Sequence, residues 1–516
     1  MSKGETVFLV YQKDFSENGK DRYFIYKNGA FSEVDSFFVV ALECFVVTHD
    51  FWLIATSLYK KHQRLPRKVI DVVLLAKIVA GVKSIEGDVQ PWDITKTISP
   101  LFNDKSDFDR YLDVYYRRSA LNIGVLMLFS HKMSGYFDNL SDLATSIGEI
   151  ERFYNLEVPV FNILTEAACK GFKVSNDIIR KHKDDIELSF YRELKSFAEK
   201  HGVMYELPNE GMIREKLLEL GYNVGDYSLE FLIDFLPSKN GYSDDLRSLQ
   251  KTNKSYRVFN SISRCSNRLY PIVESHWTST SRIYYKSPSL QNISKKYRDI
   301  FVPDLGKSLC YIDYDQFEVG VMADLSGDPK MKSIYQDSDA YKDLAELVFG
   351  DEGMRKKAKI IFLSYTYGMS MENILSSVKE VGGSQKNAAQ YFSEFNVFEN
   401  WKSKIHREFF DKNRVGTIEG NYLNRTLSGE LTEKEKRSSV NHVVQGTATF
   451  IFKNALLELS NEIGVEILIP MHDAVLFQHT SQFKPNRAKQ IFESVMTKLL
   501  SNVSGKASIE KFFIKC

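Results

Sequence analysis

The chain has 516 residues, of which 43% are hydrophobic and 26% are charged, and its net charge at pH 7 is only +1. This length predicts two or more domains, and the small charge means that any nucleic-acid affinity must come from locally clustered Lys and Arg. The five cysteines form no C-x-x-C pair, and the longest apolar run, residues 37–47, is too short to span a bilayer. We therefore expect a soluble, cytoplasmic protein without a disulfide framework, a zinc site or a membrane partner.

The first 145 residues alternate strand-like and helical patterns, which indicates an α/β domain. Strands are predicted at residues 6–11, 23–26 and 37–47. Beyond them the pattern is mostly helical from 158 to about 267, strands return around 299–317, and helices dominate 330–415. Two short strands are predicted to flank a turn at residues 472–473.

Two aspartates, 160 residues apart, each follow an apolar strand-like run. Asp313 follows residues 309–312, and Asp473 follows residues 467–471. A buried strand that ends in a carboxylate is costly unless the carboxylate meets a cation. Two such carboxylates that converge could hold two Mg²⁺ ions about 4 Å apart, the geometry of in-line phosphoryl displacement. The alternative is that each is a turn residue that caps its strand.

A basic segment lies between the two aspartates. Arg355, Lys359 and Leu363 recur every four residues, so on a helix they fall within an arc of about 80° on one face. Two cations on that face could grip a triphosphate, with Leu363 beyond them against sugar or base. A solvated basic face is the alternative, but Lys356 and Lys357 point elsewhere and would satisfy it. Carboxylates for metal and cations for triphosphate together predict a nucleotidyl transferase.

From about residue 151 to its end, the chain resembles the polymerase half of family A DNA polymerases. Four blocks in the family's order carry the resemblance, similar in turn to motif A, motif B, the N-x-x-x-QGTA segment at a helix start and motif C: residues 313–328, 355–370, 440–448 and 471–474. A weaker block, residues 280–282 and 288–293, is similar to the segment that follows the primer–template minor groove.

The resemblance implies an α/β plus α fold, in which a small domain precedes a right-hand polymerase of palm, thumb and fingers. The limits implied are 1–145 for the first domain and 146–516 for the polymerase, with the thumb at about 185–270, the palm at about 271–330 and 440–516, and the fingers at about 331–439.

The resemblance also implies a role for each matching residue. Asp313 and Asp473 would bind two Mg²⁺ ions, for which Mn²⁺ is an expected substitute, and together with Lys359 they would be the catalytic residues. The residues implied to bind the nucleotide are Arg355, Lys359, Leu363, Tyr367, Glu318 and Gln316. Those implied to bind primer–template DNA are Arg282, Gln291, Asn292, Asn441, Gln445, His472 and Arg437.

Glu318 bears on the choice of sugar. The resemblance implies that it packs beneath the 2′ carbon, excludes a hydroxyl there and accepts a hydrogen bond from Tyr367, which ends the basic helix. Related single-subunit RNA polymerases carry a smaller residue at this place, so Glu318 favours deoxynucleotides. The chain departs from the family at Ala474, where glutamate is usual, and at Leu363, where an aromatic residue is usual. These departures bear on rate and discrimination more than on the reaction.

Residues 1–145 faintly resemble the 3′–5′ exonuclease domain, of RNase H-like fold, that precedes this polymerase module. An active domain of that type needs a D-x-E pair on its first strand and a Y-x-x-x-D motif on a late helix. Here Tyr11 and Lys13 lie near the place of the D-x-E pair, and Ser119 replaces the late aspartate. Asp71 alone cannot hold two metals, so we expect the fold without its nuclease activity.

The predicted function is template-directed, primer-dependent DNA synthesis, with primer–template DNA, dNTPs and replication accessory proteins as partners. The length leaves no room for a 5′ nuclease region, and several residues depart from the family pattern. Both observations suggest a phage or mobile-element enzyme that acts in the host cytoplasm. Two alternatives stay open. One is a non-catalytic DNA-binding protein on a decayed polymerase scaffold, in line with Ala474, and the other is a single-subunit RNA polymerase, which Glu318 disfavours.

Overall fold

The structure is a computed structural model that describes residues 5–14, 20–83, 98–225, 227–265, 267–276 and 278–513. Its strands are β1 (Thr6–Gln12), β2 (Arg22–Lys27), β3 (Ala30–Val34), β4 (Phe45–Thr48), β5 (Val69–Asp71), β6 (Val82–Lys83), β7 (Phe172–Lys173), β8 (Arg268–Leu269), β9 (Val273–Glu274), β10 (Tyr284–Tyr285), β11 (Ser308–Tyr314), β12 (Arg414–Thr417), β13 (Gly420–Asn424), β14 (Val465–Pro470), β15 (Ala474–His479) and β16 (Ala507–Glu510).

The α-helices are Ser36–Ala41, Trp52–His62, Val72–Ala80, Lys105–Tyr115, Ile123–Ser146, Ile150–Arg152, Val158–Lys170, Asn176–His201, Glu210–Glu219, Leu229–Asp234, Tyr242–Asn260, Phe317–Ser326, Pro329–Asp337, Ala340–Phe349, Arg355–Thr366, Met371–Glu380, Gln385–Ser393, Asn396–Lys412, Glu433–Ser460 and Pro485–Leu499. Short 3₁₀ turns occur at Ser99–Leu101, Leu290–Asn292, Lys295–Ile300 and Glu352–Met354, and Phe153–Glu157 is π-helical.

The N-terminal sheet has the strand order β3-β2-β1-β4-β5. β1 pairs antiparallel with β2 and parallel with β4, and β4 pairs parallel with β5. Successive residues of β1 from Val7 to Gln12 are buried, as expected for a central strand that is covered on both faces. The predicted strands at 6–11 and 23–26 are confirmed as β1 and β2.

The predicted strand at residues 37–47 is wrong. This segment begins as the helix Ser36–Ala41, whose first turn is capped by Asp35 through a 2.7 Å bond from the Phe38 N–H, and only its end forms β4. The reason is that a short apolar run carries no period that separates a buried strand from a buried helix.

The second large sheet is antiparallel, with the order β14-β15-β11-β16. A tight turn joins β14 to β15, closed by a 2.6 Å hydrogen bond from the Met471 N–H to the Ala474 carbonyl. The Tyr314 hydroxyl donates to the Phe492 carbonyl at 3.0 Å, which fixes the sheet to the helix Pro485–Leu499. The two strands expected around residues 472–473 are confirmed as β14 and β15.

The helix Glu433–Ser460 begins earlier than predicted. Thr432 and Glu435 form a reciprocal capping box at its first turn, which satisfies backbone N–H groups that a helix start leaves open. The N-x-x-x-QGTA segment, residues 440–448, therefore lies about two turns inside the helix rather than at its start.

The first 145 residues are packed onto the remainder of the chain. The hydrophobic core around the N-terminal sheet also takes in Val158 and Cys169 of the helix Val158–Lys170. Farther along, β6 pairs in parallel with β13 of the hairpin β12–β13. The helix Ile123–Ser146 is continuous, and the domain limits remain predictions. Within the described ranges, no helix has both the length and the apolar character needed to cross a membrane.

Candidate active site

The two aspartates predicted from the sequence lie together at one end of the antiparallel sheet. Asp313 is on β11 directly opposite Ala474, the first residue of β15, and Asp473 precedes Ala474 in the tight turn. The Tyr314 N–H donates to the Asp473 carbonyl at 3.1 Å, so backbone hydrogen bonding holds the turn against β11. The sheet register therefore brings the two carboxylates to one site.

Burial and neighbouring charge raise the pKa of both carboxylates. Burial and then the charge of Asp473 raise the pKa of Asp313 to about 7. Burial also raises the pKa of Asp473, although the cations Lys359 and Arg282 act in the opposite direction. A carboxylate whose ionised form is disfavoured by burial and by a neighbouring carboxylate gains from a nearby cation.

The donor set fits a metal ion in part. The Asp313 Oδ1 atom is buried and has no hydrogen-bond partner among the described residues, as a ligand atom awaiting a cation would be. Ala474, where the family usually has a carboxylate, is fully buried. Within the described part of the chain, no group of three or more His, Cys, Asp or Glu side chains is arranged to hold a metal.

A third carboxylate near the pair was not found by sequence reasoning. Glu510 on β16 raises the pKa of Asp313 and of Asp473 through its charge, and it pairs with Lys295 at 2.9 Å. Glu510 is far from Asp313 in sequence and is brought near it by the pairing of β16 with β11. No local pattern could have indicated this carboxylate.

The basic segment forms the helix Arg355–Thr366, and its predicted face is confirmed in part. Arg355 and Lys359 lie over the same ring, that of buried Tyr341, at 5.3 and 5.6 Å from its centroid. Arg355 is held by Asp339 through bonds of 2.8 and 3.0 Å. Leu363 is partly buried on the same helix. Lys359 acts through its charge on Asp473 and makes no ion pair with a carboxylate among the described residues.

The other two lysines of the segment point elsewhere, as predicted. Lys356 approaches Asp234 at 3.8 Å. Burial and then the charge of Arg247 lower the pKa of Lys357, which places it against a different part of the chain from Lys359. The helix therefore presents its cations to two separate surfaces.

Glu318 is held by two hydrogen-bond donors, and its charge acts on His472 in the turn that carries Asp473. Its Oε2 atom accepts a 2.6 Å hydrogen bond from the Tyr367 hydroxyl, and its Oε1 atom lies 3.1 Å from the Arg282 guanidinium. The bond from Tyr367, expected from the resemblance, is confirmed. Burial, followed by the charge of Glu318, raises the pKa of Tyr367, while a hydrogen bond with Gln445 opposes that rise. The phenol therefore stays protonated and donates.

Gln316 precedes Glu318 and has a structural contact of its own. Its backbone is left-handed, with φ of 48°, at the start of the helix Phe317–Ser326. Its side-chain Oε1 accepts from the Ala340 N–H at 3.3 Å. This contact joins the start of one helix to the start of the helix Ala340–Phe349.

Two of the residues expected to bind DNA are engaged within the protein. The Gln291 amide donates to the Ile283 and Pro470 carbonyls at 2.8 and 3.0 Å and accepts from the Tyr285 N–H. Asn292 donates to the Ser289 hydroxyl at 2.6 Å. Gln291 thus braces the end of β14, next to the turn that carries Asp473.

The remaining expected DNA contacts surround the site more openly. His472 is exposed in the turn, and partial desolvation of its ring, with the nearby cations Arg282 and Lys254, lowers its pKa, so the imidazole is neutral at pH 7. Arg437 is exposed, and Asn441 and Gln445 are half-buried along the helix Glu433–Ser460. Arg437, Asn441 and Gln445 thus share one helix.

In the N-terminal sheet, the carboxylate of Asp71 is bonded to backbone groups of the protein. Asp71 is buried and accepts from the Phe51 and Val73 N–H groups, both at 3.0 Å, so it serves as a helix cap. Burial and then the charge of Asp50 raise its pKa to about 7. Asp50 is a neighbouring carboxylate that sequence reasoning did not include. Asp50, Asp71 and Lys13 all line one cavity of about 630 Å³.

Aromatic side chains fill the space next to β1. The Tyr11 hydroxyl lies 3.0 and 2.9 Å from the carbonyls of His49 and Asp50, and the Tyr111 hydroxyl is 2.7 Å from His49 Nε2. Tyr111 also stacks on Phe129 with 3.9 Å between the ring centroids. A packed aromatic cluster thus occupies the surroundings of Tyr11.

Comparison with known proteins identifies relatives of this architecture. The family model described as DNA polymerase family A matches residues 212–510, more than half of the chain. DNA polymerase I of Caldicellulosiruptor bescii is 25% identical over 395 residues, which cover 68% of this chain and 45% of that protein. The thermostable DNA polymerase I of Thermus caldophilus is 29% identical over 265 residues, 46% of this chain and 30% of that protein. The chain matches less than half the length of these relatives.

A solved structure shares the fold of nearly the whole chain. The POL domain of Pol1 from M. smegmatis, in complex with DNA primer-template and dNTP, superposes with a TM-score of 0.74 at 17% identity. The match covers 98% of this chain and 95% of that one, so it includes the N-terminal sheet as well as the sheet that carries the aspartates.

Proposed function

Because the chain belongs to DNA polymerase family A, we propose that it catalyses template-directed, primer-dependent DNA synthesis. The observation that carries this proposal is the register of β11 against β15, which pairs Asp313 with Ala474 and so sets Asp313 beside Asp473. A nucleotidyl transfer needs carboxylates at such a point and a cation facing them, and Lys359 provides that cation.

Asp313 and Asp473 would hold two Mg²⁺ ions, with Mn²⁺ as a substitute. When bound, these ions supply activation of the primer 3′ hydroxyl and charge neutralisation on the departing pyrophosphate. The unpartnered Asp313 Oδ1 atom supports this assignment. Asp313 lies on a strand with neighbours on both sides, so its position is rigid, and the turn with Asp473 is fixed to it by backbone bonds.

Lys359 and Arg355 would bind the triphosphate, and Lys359 would stabilise the charge that develops during transfer. Lys359 lies over the Tyr341 ring, which limits its motion without neutralising it. Arg355 is held by Asp339 and would have to share that carboxylate with a phosphate or leave it. Leu363 would contact the sugar or base of the nucleotide. Gln316 would also contact the nucleotide.

Glu318 and Tyr367 would form the sugar gate. Glu318 is held from both sides, by the Tyr367 hydroxyl and by Arg282, so its carboxylate cannot rotate away from an incoming sugar. A fixed carboxylate beneath the 2′ carbon would exclude a hydroxyl, which supports DNA rather than RNA synthesis. The primer–template would lie along Arg282, His472, Asn441, Gln445 and Arg437, with Gln291 and Asn292 supporting that surface.

The N-terminal unit would be an exonuclease-like, RNase H-like domain without nuclease activity. The strand order β3-β2-β1-β4-β5, with three parallel strands, supports the fold, and the engagement of Asp71 as a helix cap supports the loss of activity. The domain limits at 145, 185–270, 271–330, 331–439 and 440–516 belong to the proposal. So do the phage or mobile-element origin, the host cytoplasm and the replication accessory proteins.

A primer-extension assay tests this function. Purified chain, a labelled primer–template and Mg²⁺ are incubated with dNTPs or with rNTPs, and Asp313→Asn is the matched control. We expect extension with dNTPs only, and none from the control. No extension with either nucleotide would favour a non-catalytic DNA-binding protein, and equal extension with rNTPs would favour an RNA polymerase.

A further inference from the structure

A cluster of charged side chains is buried away from the active site, where three distant segments meet. Glu157 comes from the π-helical turn, Lys453 from the helix Glu433–Ser460, and both are at most 1% exposed. The Lys453 ammonium donates to Glu157 Oε2 at 2.7 Å. Arg152 and Glu149 pair beside them, so two carboxylates face two cations and the cluster is balanced.

The cluster converges on one hydroxyl, that of Ser281. Lys453 donates to Ser281 Oγ at 2.8 Å, Ser281 Oγ lies 3.1 Å from Glu157 Oε1, and His276 Nδ1 lies 2.8 Å away. A serine hydroxyl has one proton to donate and two lone pairs to accept. The Ser281 hydroxyl donates its proton to Glu157 and accepts from Lys453 and His276, so its proton and both lone pairs are used. Burial lowers the pKa of His276 to about 3, in keeping with a neutral ring that donates through Nδ1.

Ser281 has an unusual backbone conformation at the point where these bonds meet. Its φ is +62°, in the left-handed region that non-glycine residues seldom adopt. The turn is closed by bonds from the Ser281 N–H to the Thr278 carbonyl at 2.9 Å and from the Arg282 N–H to the Thr278 hydroxyl at 3.1 Å. A strained residue persists where its surroundings over-determine it, and the buried cluster does so here.

The strained residue sets the direction of its neighbour. Arg282 follows Ser281 directly and reaches Glu318 Oε1 at 3.1 Å, on the carboxylate whose other oxygen accepts from Tyr367. Hydrogen bonds from Ser281 to Glu157 and from Arg282 to Glu318, joined by the peptide bond between Ser281 and Arg282, therefore connect the buried cluster to the sugar gate.

We propose that Ser281, held by Glu157 and Lys453, is a positioning residue that aims Arg282 at Glu318 and thereby sets the discrimination between deoxyribonucleotides and ribonucleotides. This inference rests on the proposed DNA synthesis. It assigns the buried cluster a role in specificity, although none of its members reaches the two aspartates.

The test compares Ser281→Ala with Ser281→Gly. Alanine removes the hydroxyl and leaves the left-handed strain, so the turn relaxes and Arg282 leaves Glu318. Glycine also removes the hydroxyl but adopts the left-handed conformation without strain, so it keeps the turn. Glycine is therefore expected to recover most of the discrimination that alanine loses, which a general loss of packing would not produce.

The measurement is kcat/KM for a dNTP and for the matching rNTP. In Ser281→Ala the ratio is expected to fall by about tenfold, the effect of one lost hydrogen bond to a charged group. Arg282→Ala should lower the ratio at least as far. Ser281→Ala combined with Arg282→Ala should have the same ratio as Arg282→Ala alone, because both changes act through the contact between Arg282 and Glu318. Ser279→Ala, in the same turn but outside the cluster, is the matched control.

A second variant keeps the proposal testable if Ser281→Ala does not fold. Glu157→Gln combined with Lys453→Met removes one charge of each sign, so the buried cluster stays balanced, and the ammonium that donates to Ser281 is lost. The same fall in the ratio is expected. A dNTP-to-rNTP ratio within about twofold of wild type would overturn the proposal, either in a folded Ser281→Ala or in the Glu157→Gln, Lys453→Met variant. Full additivity of Ser281→Ala with Arg282→Ala would also overturn it. Failure of wild type to extend with dNTPs would instead reject the proposed function.

Discussion

Tyr367 and Glu318, 49 residues apart, are joined by a 2.6 Å hydrogen bond in which the phenol donates to the carboxylate. Arg282 occupies the other oxygen of the same carboxylate at 3.1 Å. Each carboxylate oxygen of Glu318 thus has a fixed donor. Tyr367 follows the basic helix, and Arg282 comes from the turn at residues 278–282. Glu318 is therefore held in a single orientation.

Glu318→Ala is expected to raise ribonucleotide incorporation relative to deoxyribonucleotide incorporation by about 10- to 100-fold, because it opens space beneath the 2′ carbon. Overall synthesis should slow as well, since Tyr367 loses its acceptor. The measurement is kcat/KM for each sugar. Tyr367→Phe, which keeps the ring and removes only the bond, should show a smaller change. Unaltered discrimination in Glu318→Ala would show that another residue is the gate.

Lys359→Ala should lower kcat/KM for dNTPs by about 100-fold, the scale for loss of one preorganised charge at a transition state. Lys356→Ala is the matched control on the same helix, and it should have little effect because that lysine faces Asp234. Steady-state kinetics of single-nucleotide insertion measure both. Equal losses in the two variants would mean that the helix presents a different face to the nucleotide.

The N-terminal domain should not degrade DNA from the 3′ end in Mg²⁺ or Mn²⁺. Asp71 uses its carboxylate oxygens to cap backbone N–H groups, and two-metal hydrolysis needs several free carboxylates on converging elements. Labelled single-stranded DNA and a mismatched primer end are the substrates to follow. Degradation that is abolished by Asp71→Ala but persists in Asp313→Asn would contradict this expectation.

Asp71 should make the stability of the fold depend on pH. Its pKa is raised to about 7 in the folded chain, so its contribution stabilises the fold at low pH and is lost as the pH rises through about 7. Asp71→Asn cannot ionise, so its free energy of unfolding relative to wild type should improve by about 2 kcal/mol between pH 5 and pH 8. Urea denaturation at both pH values measures this. Exposed Asp142→Asn should show no such change, and a pH-independent difference for Asp71→Asn would refute the burial argument.

The sequence predicts the parts of the site that depend on local pattern. An apolar run before each aspartate indicates β11 and β14, and four-residue spacing indicates the helix that carries Arg355 and Lys359. The bond from Tyr367 to Glu318 follows from the family resemblance and is confirmed. These features need only short stretches of chain or a known motif.

Features that depend on distant segments escape prediction. Glu510 reaches the aspartates only through the pairing of β16 with β11, and Asp339 reaches Arg355 from a separate helix. Glu157 and Lys453, almost 300 residues apart, are fully buried, whereas charged residues are normally expected at the surface. In the N-terminal unit, residues 37–47 show that a short apolar run does not distinguish helix from strand.

The central claim is that Asp313 and Asp473 form one catalytic metal site, and the most direct measurement is single-turnover primer extension by Asp313→Asn and Asp473→Asn in Mg²⁺. Primer–template affinity is followed in parallel by fluorescence anisotropy. Each variant should lose nearly all extension while binding DNA much as wild type does, because asparagine keeps the shape of the side chain but not its charge. Extension within about tenfold of wild type by either variant would contradict the two-aspartate site.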